Sequence, residues 1–483
     1  MSHEPPPNRS PLDIDPEEMR RLGYAAVDAL VERRRMLAQG PPWRGGSRRE
    51  LEPILREDCP ESPGDADAVL QRALSDILPR AGRIDHPRFF AFVPSSPTWA
   101  SVVGGLLANG FNIFQGTWLE SAGPSQVELV VLEWFRKWLG LPEGAGGLFT
   151  SGGSAANLGA VVAARDAAGH PERPVVYLSD QSHSSVERAC RIAGFRELSF
   201  RRIPSGTDYR MDVGALTQAI DDDVEAGFSP VLVAANGGAT NTGAVDPLPE
   251  LADLCESRGV WLHVDAAYGG FAVLTARGRE ALRGIERAHS VTLDPHKWLF
   301  QPYETGCLLV RDPRDLERAF RVLPEYLQDT DLGMEQVNFA DRGLQLTRAF
   351  RALKVWMSLQ IHGRRAHADA IGQGIALGDV AEELLRAQAE IEILSPSSLG
   401  IVCFRVRPSG EAWTEEAVEV LNRGIQDAIV GEGTAMMSST RLRGRYSLRL
   451  CILNFRSTRD DVAAVIERIV ALGQEHAAER GPE

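Results

Sequence analysis

The segment VWLHVDAAYGGFAVLTARGREALRGIERAHSVTLDPHKW, residues 260 to 298, passes from a short apolar run through an amphipathic stretch into a second short apolar run. That alternation is the pattern of β-α units around a mostly parallel sheet. The same texture extends outward on both sides, from about residue 86 to 365, with further candidate strands in PVVYLS (174–179), PVLVAA (230–235) and GCLLVR (306–311). Within the quoted segment, VWLHVD (260–265) and SVTLD (290–294) are the strands. The expected fold class is therefore α/β.

Flanking regions read differently. Residues 1–85 begin with a Pro-rich tail and continue into a helical pattern of Met19, Leu22, Ala26, Leu30 and Leu37, stopped by Pro41, Pro42, Gly45 and Gly46. Such an arm is too small to bury a core alone, so its apolar face is expected against the rest of the chain or a second subunit. Residues 366–483 read as a smaller α+β domain. A helix is expected at 414–430, a half-buried strand through Tyr446, Leu448, Leu450 and Ile452, and a last helix from Thr458 to Gly473.

Composition excludes several classes. With 52 basic and 66 acidic residues in 483, the net charge is −14, which opposes binding to nucleic acid or anionic membranes. The six cysteines at 59, 190, 255, 307, 403 and 451 form no C-x-x-C pair, so neither a zinc ribbon nor a disulfide framework is expected, and no metal. No run approaches a membrane span, and MSHEPPPNRS lacks the features of a signal peptide, so a cytoplasmic location is expected.

Ligands of such sheets gather beyond the carboxyl ends of the strands, which makes four segments the candidate site. In GGLFTSGGSAANLGAVVAAR (146–165), a glycine-rich turn enters an apolar helix, so Gly153 and Ser154 can present donors to a phosphate at a positive helix end, or simply pack. In LSDQSHSSVERA (178–189), His183 either caps a helix or lays its imidazole on a planar ring. Asp265 ends an apolar strand and is followed by the small Ala266 and Ala267; it either caps the residues after it or holds a heteroaromatic nitrogen protonated. Lys297 follows Asp294 and His296, bracketed by Val291, Leu293, Trp298, Leu299 and Phe300. Desolvation there is expected to lower its pKa and favour a nucleophilic amine. Phosphate turn, stacking histidine, pyridinium aspartate and Schiff-base lysine together specify pyridoxal 5′-phosphate.

The chain also resembles the group II pyridoxal-phosphate decarboxylases of the aromatic-L-amino-acid type. The resemblance rests on HPRFFAF (86–92), SGGSAANL (151–158), DQSHSSVERA (180–189), HVDAAYGG (263–270), DPHKW (294–298) and FRALKVW (350–356). It implies the aspartate-aminotransferase-like fold type I of pyridoxal-phosphate-dependent transferases and a homodimer with active sites at the subunit interface. By the same resemblance Lys297 carries the cofactor, Asp265 pairs with its ring nitrogen and His183 stacks on the ring. Gly153, Ser154 and His296 serve the phosphate, with Thr240, Ala267 and Asp294 completing the cofactor set.

The implied reaction is decarboxylation of an L-amino acid to an amine. Tyr326, in the polar loop 321–343, is expected to protonate the carbanion. Alternatives are decarboxylation coupled to oxidative deamination, other reactions of the same cofactor such as transamination or β-elimination, and a non-enzymatic relic. The substrate pocket is expected around Phe92, Ser95, Phe114, Gly116 and Trp118. The aromatic members would suit an aromatic side chain, while Gly116, where the family often has an aromatic residue, would leave extra room. Phe92, Asp294 and Ala239 depart from the tyrosine, asparagine and threonine common in the family.

Overall fold

A computed structural model describes residues 10, 12–322, 333, 336–409 and 413–480. Its centre is a seven-stranded sheet in the order β1-β7-β6-β5-β4-β2-β3. These are β1 (Gly146–Thr150), β2 (Pro174–Ser179), β3 (Phe200–Ile203), β4 (Ser229–Asn236), β5 (Trp261–Asp265), β6 (Ser290–Leu293) and β7 (Gly306–Val310). Only β7 runs against its neighbours, pairing antiparallel with both β1 and β6. The sheet is thus mostly parallel. Its central strands are buried throughout, β5 and β6 at every position, as strands covered on both faces must be.

Two strands of this sheet escaped the sequence reading. The residues read as the lead-in to a glycine turn, GGLFT, form β1. Gly147 makes this possible, because a Cβ there would lie 1.8 Å from the Leu308 carbonyl oxygen on β7. Behind β1, the buried pair Arg348 and Glu128 (2.7 Å) holds both Phe149 backbone groups, so the strand that delivers the glycine turn is anchored from below. The other strand, β3, is a charged edge of four residues, FRRI.

A second sheet, β10-β11-β9-β8, is antiparallel: β8 (Ile391–Ser398), β9 (Ile401–Val406), β10 (Ser438–Leu442) and β11 (Arg445–Cys451). Helices Glu415–Gly431 and Arg459–Arg480 supply Leu421, Ile425, Val465 and Ile469 to its core, which also takes Phe90 from the HPRFFAF segment. The last helix does not stop at Gly473. A side chain there would press on Val406, so glycine serves close helix-sheet packing rather than termination. The long helix Ala352–Arg386 links the two sheets and breaks at Gly363, which has φ 75° and ψ 159°.

Helix Pro16–Arg35 buries none of its residues, and Met19, Tyr24, Leu30 and Val31 are exposed. Leu22 and Ala26 are only partly covered by their own chain, while Leu37, just beyond the helix, is buried.

Candidate active site

The carboxyl ends of β2, β4, β5 and β6 open into one cavity of about 350 Å³. Gly153, Ser154, His183, Thr240, Asp265, Ala267, Asp294, His296 and Lys297 all line it, so every described residue expected around the cofactor falls in one place. Asn157, Ser185, Asn236, Tyr268 and Glu304 line it too, and sequence reasoning assigned none of them.

Each wall has a local cause. Beyond β1 the chain turns through Ser151 and Gly152 into helix Gly153–Ala167, whose first N–H groups have no intrahelical partner. A Cβ on Gly153 would stand 2.9 Å from Asp294 Oδ2 and 3.1 Å from the Ala267 Cβ, so only glycine leaves the turn open. After β2, His183 caps helix Ser184–Ile192: its Nδ1 accepts from the Ser185 N–H at 3.3 Å and lies 2.7 Å from Ser185 Oγ. The capping alternative and the cavity-lining one hold together. Partial burial lowers the His183 pKa and Lys297 adds to this, against the opposing pull of Asp265 and Asp294.

Asp265 ends β5, with Oδ1 accepting from the Ala267 N–H at 3.1 Å and Oδ2 from Asn157 Nδ2 at 2.9 Å. Lys297 sits in the short helical turn Pro295–Trp298 after β6, its Nζ 2.9 Å from Asp294 Oδ2. The expected lowering of its pKa is corrected here. Burial does push the amine down, but the carboxylates of Asp294 and Asp265 outweigh it, and Lys297 is held above its ordinary value as an ammonium. His296 Nδ1 lies 2.8 Å from the Thr305 carbonyl and therefore donates to it, while burial lowers its pKa.

The donor set fits pyridoxal 5′-phosphate. A glycine turn at a helix N-terminus suits a phosphate, a buried carboxylate suits a protonated ring nitrogen, and a lysine suits the aldehyde. Asp294 is the unusual member, since its Oδ1 is buried without a partner.

None of the five residues expected around the substrate lines this cavity in the single chain. Phe92 is 62% exposed with φ 51°, and Ser95 is buried, donating its hydroxyl to the Gln301 carbonyl at 3.2 Å. The Trp118 N–H donates to Asn338 Oδ1 at 2.8 Å. Gly116 does not leave extra room: a Cβ there would meet the Leu346 carbonyl oxygen and the Phe114 ring, both at 2.5 Å. Tyr326 lies outside the described residues.

Arg449 on β11 is another residue the sequence did not flag. Its buried guanidinium donates to the carbonyls of Thr240 (2.7 Å), Asn241 (3.0 Å) and Phe92 (2.6 Å), so the smaller domain fixes the loop that carries Thr240.

Comparison with known proteins gives a consistent result. Residues 49–407 match the family described as the pyridoxal-dependent decarboxylase conserved domain. An aromatic-L-amino-acid decarboxylase of Bacillus atrophaeus is 42% identical over 96% of this chain and 97% of its own length. A phenylacetaldehyde synthase of Petunia hybrida is 32% identical, covering 91% of each chain. A crystal structure of Oryza sativa TDC with PLP and tryptamine superposes with a TM-score of 0.91 at 32% identity, covering 97% of this chain and 99% of that one.

Proposed function

The chain belongs to the pyridoxal-dependent decarboxylases, and from that premise we propose that it releases carbon dioxide from an aromatic L-amino acid and yields the amine. The observation that carries the reading is the joining of Lys297, Asp265, His183 and the Gly153 turn around one cavity. Bound pyridoxal 5′-phosphate supplies an aldehyde for an amino group and a ring that accepts the electrons of a bond broken at Cα.

The chain's own residues do the rest. Lys297 would hold the cofactor's aldehyde through its amine. Gly153, Ser154 and His296 would hold the phosphate, and Thr240 and Ala267 line the same cavity. Asp265 would keep a proton on the ring nitrogen, and His183 would stack on the ring. Asp294, 2.9 Å from Lys297 Nζ, favours the charged form of that amine. Tyr326 delivers the proton that ends at Cα. The enzyme works as a homodimer in the cytoplasm, where a second copy brings Phe92, Phe114 and Trp118 to the site. The apolar side chains exposed on helix Pro16–Arg35 support that assembly.

A second reading, release of an aldehyde with ammonia and peroxide, is favoured by the likeness to the phenylacetaldehyde synthase. Incubating the purified protein in air with a panel of amino acids and identifying products by mass separates the two. Carbon dioxide with amine is expected; aldehyde with peroxide establishes the second, and absence of carbon dioxide overturns both. Borohydride should leave a pyridoxyl group on Lys297, and Lys297→Ala should abolish turnover in a chain that remains folded.

A further inference from the structure

Asn157 is fully buried on helix Gly153–Ala167, and both ends of its amide are engaged. Nδ2 lies 2.9 Å from Asp265 Oδ2 and 2.9 Å from Ser185 Oγ. Oδ1 lies 2.6 Å from Thr292 Oγ1 and 3.0 Å from His263 Nε2. One amide therefore joins Asp265 directly, and His183 through Ser185, to a set of buried groups that never reach the cavity.

The direction of each bond follows from the ends. A carboxylate only accepts, so Asn157 must turn its NH₂ toward Asp265 and its oxygen toward His263. His263 Nε2 then carries the hydrogen. Its Nδ1 is left as an acceptor for the hydroxyl of Ser290 at 2.8 Å, and that oxygen in turn receives the Trp261 indole N–H at 2.8 Å. This arrangement needs a neutral His263, and burial holds it so, with its pKa lowered to about 4.

At the other end, Ser185 Oγ receives the second Asn157 hydrogen and gives its own to His183 Nδ1, 2.7 Å away. The Ser185 backbone N–H, a donor in every protonation state, converges on the same nitrogen at 3.3 Å. Two donors on one nitrogen require a lone pair there, which leaves the ring hydrogen of a neutral His183 on Nε2.

We propose that Asn157 is a positioning residue that ties Asp265 and His183 into one hydrogen-bonded unit, and that this unit fixes His183 as its Nε2–H tautomer. The inference rests on the proposed function only for the tasks it gives those two residues. Its consequence is that the imidazole offers a donor from Nε2, the nitrogen away from Ser185, while the carboxylate that holds the ring nitrogen is kept in place from behind. A change at Asn157, which lines the same cavity, acts on both through their hydrogen bonds.

The test is two-bond ¹H–¹⁵N correlation on holoenzyme labelled with ¹⁵N-histidine, with His183 assigned by its loss in His183→Gln. The wild type should show His183 protonated at Nε2. Asn157→Asp keeps the shape and reverses two bonds: Ser185 turns its hydroxyl to the new carboxylate, and Asp265 faces a like charge. That variant should move His183 toward Nδ1-protonated forms and lower kcat tenfold or more with KM within about threefold, the scale of one or two lost buried hydrogen bonds. An Nδ1–H pattern in the wild type overturns the proposal, as does an Asn157→Asp enzyme with unchanged tautomer and kcat. Should Asn157→Asp fail to fold, the wild-type spectrum still decides. A wild type that shows the Nε2–H pattern but releases no carbon dioxide sinks the decarboxylase reading and leaves this one standing.

Discussion

Lys297 shows how two neighbours decide a residue's chemistry. Its sequence surroundings are apolar and argue for a neutral amine, yet the folded chain sets Asp294 2.9 Å away and holds it charged. A raised pKa means that the cofactor-free enzyme captures an aldehyde only where the pH frees the amine. Asp294→Asn removes the larger of the two opposing carboxylates, so the pH of half-maximal imine formation should fall. Following imine absorbance with phosphate-free pyridoxal isolates this effect, because no phosphate is present to gain or lose a partner at position 294. An unchanged midpoint would refute the role given to Asp294. As candidates, Lys297, Asp265, His183 and Gly153 were readable, because each stands at a strand end or turn where an amine, a carboxylate, an imidazole or a missing side chain has a chemical use. Asn157 was not, although it stands inside a quoted motif, since an asparagine in an alanine-rich helix gives no sign of which groups will pack against it.

At the scale of elements, the apolar runs of β2, β4, β5, β6 and β7 were readable, because strands covered on both faces must be apolar along their whole length. β1 was hidden by its glycines, which exist to let β7 approach, and the antiparallel direction of β7 has no local signature. Trp261, His263, Ser290 and Asn157 staple β5 and β6 to helix Gly153–Ala167. That staple carries a pH dependence. Unfolded, His263 binds a proton below its ordinary value of 6.5; folded, only below about 4. Between those limits the unfolded chain holds more protons, so this contribution to stability is intact above pH 6.5 and is lost as the pH falls toward 4. The loss is on the order of 3 kcal/mol. Urea unfolding across that range should show a shallower decline for His263→Gln than for the wild type, and parallel curves would exclude the effect.

The whole molecule leaves apolar side chains exposed on the N-terminal arm, at Met19, Tyr24, Leu30 and Val31, and at Leu106, Leu107 and Phe111 on and just beyond helix Trp99–Gly110. Such side chains predict a second copy over them. Sedimentation should give twice the 52.7 kDa chain mass. Removing residues 1–40 should shift the protein toward monomer or aggregate and cut activity at least tenfold, whereas a fully active monomer would remove the arm from assembly. By itself the sequence determined the class of sheet, the cofactor chemistry and the candidate residues for it, because periodicity and functional-group identity are local properties. Only the tertiary structure decided the charge on Lys297, the occupied space beside Gly116 and the coupling of His183 to Asp265 through Asn157. Those depend on distances between atoms far apart in the chain, and electrostatic and steric energies answer to distance rather than to order along the sequence.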